Sequence, residues 1–220
     1  AGSTANLYYF AVDIYGTTGF SDSYDIRING IPVINSITIS SEIIETGQEV
    51  TISGIMQDFE GSTGTNFNLY SSVDGLIYTG ESNFVVDFSN LSTGIHDIWY
   101  TFTDSDNITV ESNQIELIVN SVPTITLDGP VIATVGSEVT FEAIGTDVDG
   151  NISDYQWYVD GQLQSSDLSN TFTLQWDSTD DNGPWFLISV VAFDDLGAGS
   201  NEASHSIYFN DIPEKKYNYW

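Results

Sequence analysis

The chain has 220 residues, with 32 Asp and Glu against 3 Lys and Arg, for a formal net charge of −29. Charged residues of all kinds make up only 16%, against roughly 25% in ordinary soluble domains, so the acidity comes mainly from missing bases: Arg27 stands alone until Lys215 and Lys216. That scarcity excludes a basic nucleic-acid surface, a phosphate loop with its lysine and lysine Schiff-base or isopeptide chemistry before Lys215, while the lack of cysteine excludes disulfides, thiolate zinc sites and cysteine nucleophiles.

Hydrophobic residues at 40% and aromatics at 13% argue for a folded chain. No apolar run approaches the roughly 18 residues of a membrane span. Read from the N-terminus, Tyr24-Asp25-Ile26-Arg27-Ile28 alternates apolar and polar, which predicts a strand with one face buried. Asn29-Gly-Ile-Pro32 then opens a segment whose opening recurs as Asn120-Ser-Val-Pro123 and Asn210-Asp-Ile-Pro213, with proline spacings of 91 and 90. A second marker, an Asp after an aromatic-rich strand, falls at Asp13, Asp104 and Asp194 with the same two spacings. Gly47-Gln-Glu-Val-Thr-Ile52 returns as Gly136-Ser-Glu-Val-Thr-Phe141. Independent markers sharing one period define an internal repeat.

Within the repeats, Val73-Asp74-Gly75 and Val159-Asp160-Gly161 read as tight hairpin turns, because Asp and Gly tolerate positive φ. Gln114 to Val119 alternates as a strand. Short strands separated by turn residues, with no amphipathic helical stripe, predict an all-β fold: tandem Ig-like sandwiches of about seven strands each. The predicted boundaries are 29–119 and 120–209 for two full units, 1–28 for the last hairpin of another unit, and 210–220 for the beginning of a further one. The two ends cannot complete a third sandwich, and a lone hairpin is marginal in water. Residues 1–28 are therefore expected to pack on something outside the two full units, either because the chain is cut from a longer array or because a neighbouring subunit complements the strands. Short connections containing Pro predict a stiff tandem.

Asp147-Val-Asp149-Gly150-Asn151-Ile152-Ser153-Asp154-Tyr155-Gln156-Trp157, followed by Gly183-Pro-Trp185 and Val190-Val-Ala-Phe-Asp194-Asp195-Leu-Gly197, resembles the PKD-like (polycystic-kidney-disease-type) domain family. The resemblance implies an acidic turn between strands B and C, a core tryptophan at Trp157 on strand C, and an F–G turn at Asp194-Asp195. The first repeat keeps the acidic turn as Asp58-Phe-Glu60-Gly61 but places Leu69 where Trp157 stands. The family resemblance further implies an extracellular spacer or adhesion module of microbial surface proteins or secreted enzymes.

The turn carboxylates are the candidate sites. Calcium takes six to eight oxygen ligands, often from closely spaced carboxylates, and the B–C and F–G turns of an Ig-like sandwich share one end. Asp147, Asp149, Asp194 and Asp195 form one candidate calcium set, and Asp58, Glu60, Asp104 and Asp106 the other, with solvated turn formers as the plainer reading. Asn90, Asn107 and Asn151 head N-glycosylation sequons in predicted turns, no more numerous than chance allows. His96 and His205 are expected as structural residues, His205 at a core edge, and no nucleophile elbow accompanies them. Trp157 is expected in the core, while Trp176 and Trp185 flank the E–F turn, where an exposed ring would suit a sugar. The expectation is a non-enzymatic structural segment of an extracellular or cell-surface filament, sheath, stalk or surface layer. Its expected partners are copies of itself or neighbouring repeats. The alternatives are an adhesion or carbohydrate-binding module and a spacer in a secreted hydrolase.

Overall fold

In the computed structural model, the described residues are 3–58, 66–80, 83–177 and 185–210. They form strands and no helix, divided between two compact units, Ala1–Val119 and Asn120–Trp220.

The first unit opens on β1 (Ser3–Leu7), β2 (Phe10–Val12), β3 (Thr18–Phe20) and β4 (Tyr24–Ile28). β1 pairs antiparallel with β4, and β2 with β3, making one long two-stranded hairpin. A sandwich follows: β5 (Val33–Ile39), β6 (Ile43–Glu45), β7 (Val50–Gln57), β8 (Asn66–Ser71), β9 (Gly75–Gly80), β10 (Phe84–Phe88), β11 (Gly94–Thr103), β12 (Thr109–Glu111) and β13 (Ile115–Asn120). One sheet has the order β10-β7-β5 and the other β6-β13-β11-β8-β9, with β12 also on β11. In Ig notation β5 is strand A, β7 B, β8 C, β10 E, β11 F, and β12 with β13 strand G.

The second unit repeats the plan with β14 (Thr124–Asp128), β15 (Ile132–Thr134), β16 (Glu138–Thr146), β17 (Ile152–Val159), β18 (Gln162–Asp167), β19 (Thr171–Gln175), β20 (Trp185–Asp194) and β21 (Ala203–Asn210). Its sheets run β14-β16-β19 and β15-β21-β20-β17-β18, with β15 parallel to β21.

Period-two alternation builds both cores. Along β11, His96, Ile98, Tyr100 and Phe102 are buried while Ile95 and Asp97 face outward. Phe67 stacks on Tyr100 at 4.5 Å between centroids, and Phe84 meets both rings edge-on at 4.4 and 5.7 Å. The Tyr100 hydroxyl reaches across to β5 and β7, lying 3.1 Å from Ser36 O and 3.0 Å from Ile55 O. Burial pushes its pKa up to about 12, so it remains a hydrogen-bond donor between the two sheets. Room for these rings comes from Gly54, where an added Cβ would stand 2.4 Å from Phe84 Cε1 and 2.9 Å from Tyr100 Cε1. Gly54→Ala is therefore expected to cost the first unit about 1–3 kcal/mol through overpacking, measured as a lowered urea midpoint of its transition.

In the second unit, Trp157 is fully buried on β17, stacks on Phe172 at 5.6 Å, and donates its indole N–H to Ser169 O at 3.0 Å. Leu69, its counterpart on β8, is buried without such a stack.

Of the two predicted hairpin turns, the second forms as expected and the first is longer. Asp160 and Gly161 both have positive φ, at 49° and 75°, closing a two-residue hairpin between Val159 and Gln162 as a type I′ turn requires. Around Val73-Asp74-Gly75, Ser71 instead pairs with Gly75, leaving a three-residue loop followed by Gly75 at φ 72°. The Ser71 oxygen accepts the Val73 and Asp74 amides in that loop, which selects the longer form. The alternation in Tyr24–Ile28 is real, yet all five residues are exposed, because no second sheet covers the hairpin among the described residues.

Candidate functional site

At the end of each sandwich that carries the F–G turn, one aspartate organises the backbone. In the first unit Asp104 is 1% exposed. Its Oδ1 accepts the Asp106 and Ile108 amides at 2.9 and 2.7 Å, and its Oδ2 accepts the Asn29 side-chain amide at 3.2 Å. In the second unit Asp194, also 1% exposed, accepts Leu196 N at 2.9 Å, Ala198 N at 2.8 Å and Asn120 Nδ2 at 2.7 Å. Each donor comes from the matching place: two amides inside the turn, and the asparagine that opens the same unit. Asn29 and Asn120 thus clasp the first strand of a unit to its F–G turn. The Asn-x-x-Pro marker revealed the repeat but not this bond. Its signal lay in the separations Asn29 to Asp104 and Asn120 to Asp194, 75 and 74 residues.

Burial, the largest influence on Asp104, works to raise its pKa. The Ile108, Asn29 and Asp106 donors, with the charge of Arg27, outweigh it and hold the carboxyl below the ordinary aspartate value. Arg27 also forms a two-point ion pair with Asp106, at 2.8 and 3.1 Å.

Of the first candidate set, then, Asp104 is committed to its turn and Asp106 to Arg27; Asp58 is half-buried, and Glu60 lies outside the described residues. In the second set Asp194 is likewise committed to its turn. The other three gather around Gly150, where an added Cβ would stand 2.6 Å from Asp195 Oδ1 and 2.7 Å from Asp147 Oδ2. Asp149 Oδ2 accepts Ser121 N at 3.0 Å, and Asp195 Oδ1 accepts Asn151 N at 3.3 Å. Both Asp147 oxygens are buried without a well-aligned hydrogen-bond donor, although the Val148 and Asp149 amides and the Asp149 carboxyl lie close enough to act on its charge. Burial, followed by the adjoining Asp149 carboxyl, raises the Asp147 pKa. Among the described residues, no three His, Cys, Asp or Glu side chains form a metal-holding group.

The sequon residues Asn90, Asn107 and Asn151 are all exposed, and Asn107 sits at φ 65° in the F–G turn. His205 lies half-buried, edge-on to Phe141 at 5.9 Å.

One constellation was not visible in the sequence. His96 is fully buried, with Nδ1 2.6 Å from Ser71 Oγ and Nε2 2.7 Å from Ser92 O, while Asp74 Oδ2 lies 3.8 Å from the same Nδ1. A carbonyl only accepts, so Nε2 donates to Ser92 O, and because Ser71 Oγ already accepts two loop amides it gives its own hydrogen to Nδ1. This differs from a Ser-His-Asp triad, where serine and aspartate face opposite ring nitrogens. Ser71 is also buried and binds the amides of its own loop, so the group fastens the loop before β9.

The aromatic side chains divide between the core and outer faces. Trp99 stacks on Tyr70 at 5.4 Å across β11 and β8, and Trp185, 67% exposed, leans on Tyr208 at 5.2 Å. Trp176 packs against Phe186 and Phe209 at the core edge.

Two sheets in this order, closed by clasped F–G turns, make the chain a tandem of Ig-like β-sandwich repeats. Residues 123–207 match the family described as Bacterial Ig domain. No curated protein is similar enough to count as a match. Among solved structures, the chain resembles the fibronectin(III)-like modules of Clostridium thermocellum CbhA at 23% identity and a TM-score of 0.42, over 84% of this chain and 100% of that one. It resembles the D00-D0 domain of intimin at 14% identity and 0.37, over 82% and 100%. A tetra-tandem repeat from the extending region of a large adhesion protein aligns at 14% identity and 0.39, over 94% and 57%.

Proposed function

We propose that the chain is a non-catalytic structural segment of an extracellular bacterial surface or adhesion protein, in which Ig-like repeats provide length and spacing. The observation that carries this reading is repetition down to single hydrogen bonds: the same asparagine-to-aspartate clasp recurs in both units. The Bacterial Ig domain match over 123–207 supports it. The scarcity of lysine also fits a surface bathed in ions, which screen repulsion among its acids. Antibody raised against the chain should label intact cells that produce the native protein, and external protease should remove the label. Labelling seen only after lysis would overturn the surface reading.

Calcium at Asp147, with Asp149 and Asp195 nearby, is part of this proposal, supported by the buried Asp147 oxygens that lack a well-aligned donor; because the three do not form a ready-made metal-holding group, carbonyls and water would supply most of calcium's six to eight ligands. Calcium should raise the melting temperature of the second unit, chelator should reverse the gain, and Asp147→Asn should abolish the response. Equal melting in calcium and chelator would show that the second unit binds no calcium.

A second reading, carbohydrate binding, rests on the exposed Trp185 beside Tyr208. Glycan binding lost in Trp185→Ala would favour it, and an array with no bound glycan would discard it.

A further inference from the structure

The hairpin of residues 3–28 repeats the F–G hairpin of the first sandwich pair for pair. Ser3 faces Ile28 as Gly94 faces Val119, Leu7 faces Tyr24 as Ile98 faces Ile115, and Phe10 faces Phe20 as Thr101 faces Glu111. Even the irregularity between the two halves is shared. Ser21 Oγ accepts Tyr9 N at 3.0 Å and donates to Asp22 O at 2.9 Å, as Ser112 Oγ accepts Tyr100 N at 3.0 Å and donates to Asn113 O at 2.7 Å. The turn is the same as well: Asp13 Oδ1 accepts the Tyr15 and Thr17 amides at 2.8 and 2.9 Å, as Asp104 Oδ1 accepts those of Asp106 and Ile108.

This correspondence identifies which face is built for burial. Ile98, Tyr100, Leu117 and Val119 are at most 1% exposed; their counterparts Leu7, Tyr9, Ile26 and Ile28 are 54%, 72%, 43% and 47% exposed. The edge of β11 that pairs with strand C through Ile98–Thr103 corresponds to Leu7–Val12, which has no such partner among the described residues. Asp104 and Asp194 each receive an asparagine amide; no described asparagine donates to Asp13. An apolar face, an open strand edge and an aspartate acceptor therefore coincide on one hairpin, and each is the complement of a known part of the first unit.

From these three features we infer that residues 3–28 are the F–G portion of a further Ig-like unit and that their occupant is a polypeptide of the same repeat type supplying strands A to E. Its strand C lies along Leu7–Val12, its A-B-E sheet covers Leu7, Tyr9, Ile26 and Ile28, and its opening asparagine donates to Asp13. The recognition is strand pairing plus apolar burial, and an unpaired apolar edge is otherwise an aggregation hazard. This goes beyond the proposed function, and holds whether or not the protein is displayed on a cell surface.

The test uses the full chain with residues 29–91 joined directly before Ala1, which sets Ala1 where Ser92 follows in the first unit. The unaltered chain should give two cooperative unfolding events and the extended chain three, with dye binding to the exposed apolar hairpin lost on extension. Asn29→Ala in the added segment alone should weaken only the third event, and Leu7→Ser with Ile26→Ser should abolish it. An extended chain that still gives two events, or whose hairpin still binds dye, overturns the inference. So does a third event that persists unchanged in the Leu7→Ser, Ile26→Ser variant. Surface labelling is read independently, so failure of one claim is distinguishable from failure of the other.

Discussion

Asp194→Ala is expected to destabilise the second unit by about 3–5 kcal/mol, a large part of the 5–15 kcal/mol that holds a domain folded. The carboxylate is 1% exposed and accepts three hydrogen bonds, at 2.7, 2.8 and 2.9 Å. A hydrogen bond to a charged group contributes about 1.5–3 kcal/mol, and a buried donor left without a partner costs about 1–3 kcal/mol; because the three share one acceptor, the losses do not simply add. Asp195→Ala, compared in chelator so that calcium plays no part, is the control: its carboxylate is exposed and accepts one long bond at 3.3 Å, so its effect should stay near 0.5 kcal/mol. Urea unfolding of the two variants measures the difference. Asp104 carries the same role in the first unit and adds a pH signature. Its folded pKa lies below the ordinary value, so its contribution is fully present above the unfolded-state pKa and is lost as pH falls through the folded one. The first unit should therefore weaken in acid, and Asp104→Asn should reduce that dependence.

Trp157→Ala is expected to have an effect of similar size, about 3–5 kcal/mol, from loss of the largest core side chain of the second unit. The ring is fully buried and stacked on Phe172, and its N–H satisfies Ser169 O. Trp157→Phe should recover part of the loss, since it keeps an aromatic ring but leaves that carbonyl without its donor. The unfolding midpoint of the second unit should fall in both variants while that of the first stays in place. A shared shift of both transitions would show that the units do not unfold separately.

The strands were legible because alternation is a direct record of which face meets the other sheet. The repeat markers added the register, since Asp13, Asp104 and Asp194 all occupy the same turn. The state of the acids was not legible. Asp194 and Asp195 are adjacent and chemically identical in sequence, yet one is sealed into a turn by Asn120 and the other lies at the Gly150 surface. That division depends on an asparagine 74 residues away, a distance over which sequence pattern carries no geometry by itself. The Ser71–His96 bond is hidden for the same reason, being made across two strands by a pair with no motif. Tyr24–Ile28 shows the converse. Its pattern correctly marks a face suited to burial, but burial also needs a partner sheet, and alternation says nothing about whether one is present.

Pulling single chains from their ends reads the spacer role itself, because spacing by closed Ig-like repeats requires that each unit resist and release on its own. Two separate rupture events per chain are expected, each releasing a contour length of roughly 300 Å for about 90 residues at about 3.3–3.6 Å per residue. The residue 3–28 hairpin should extend without a rupture of its own. A single event spanning the whole chain, or smooth extension without ruptures, would contradict the spacer role.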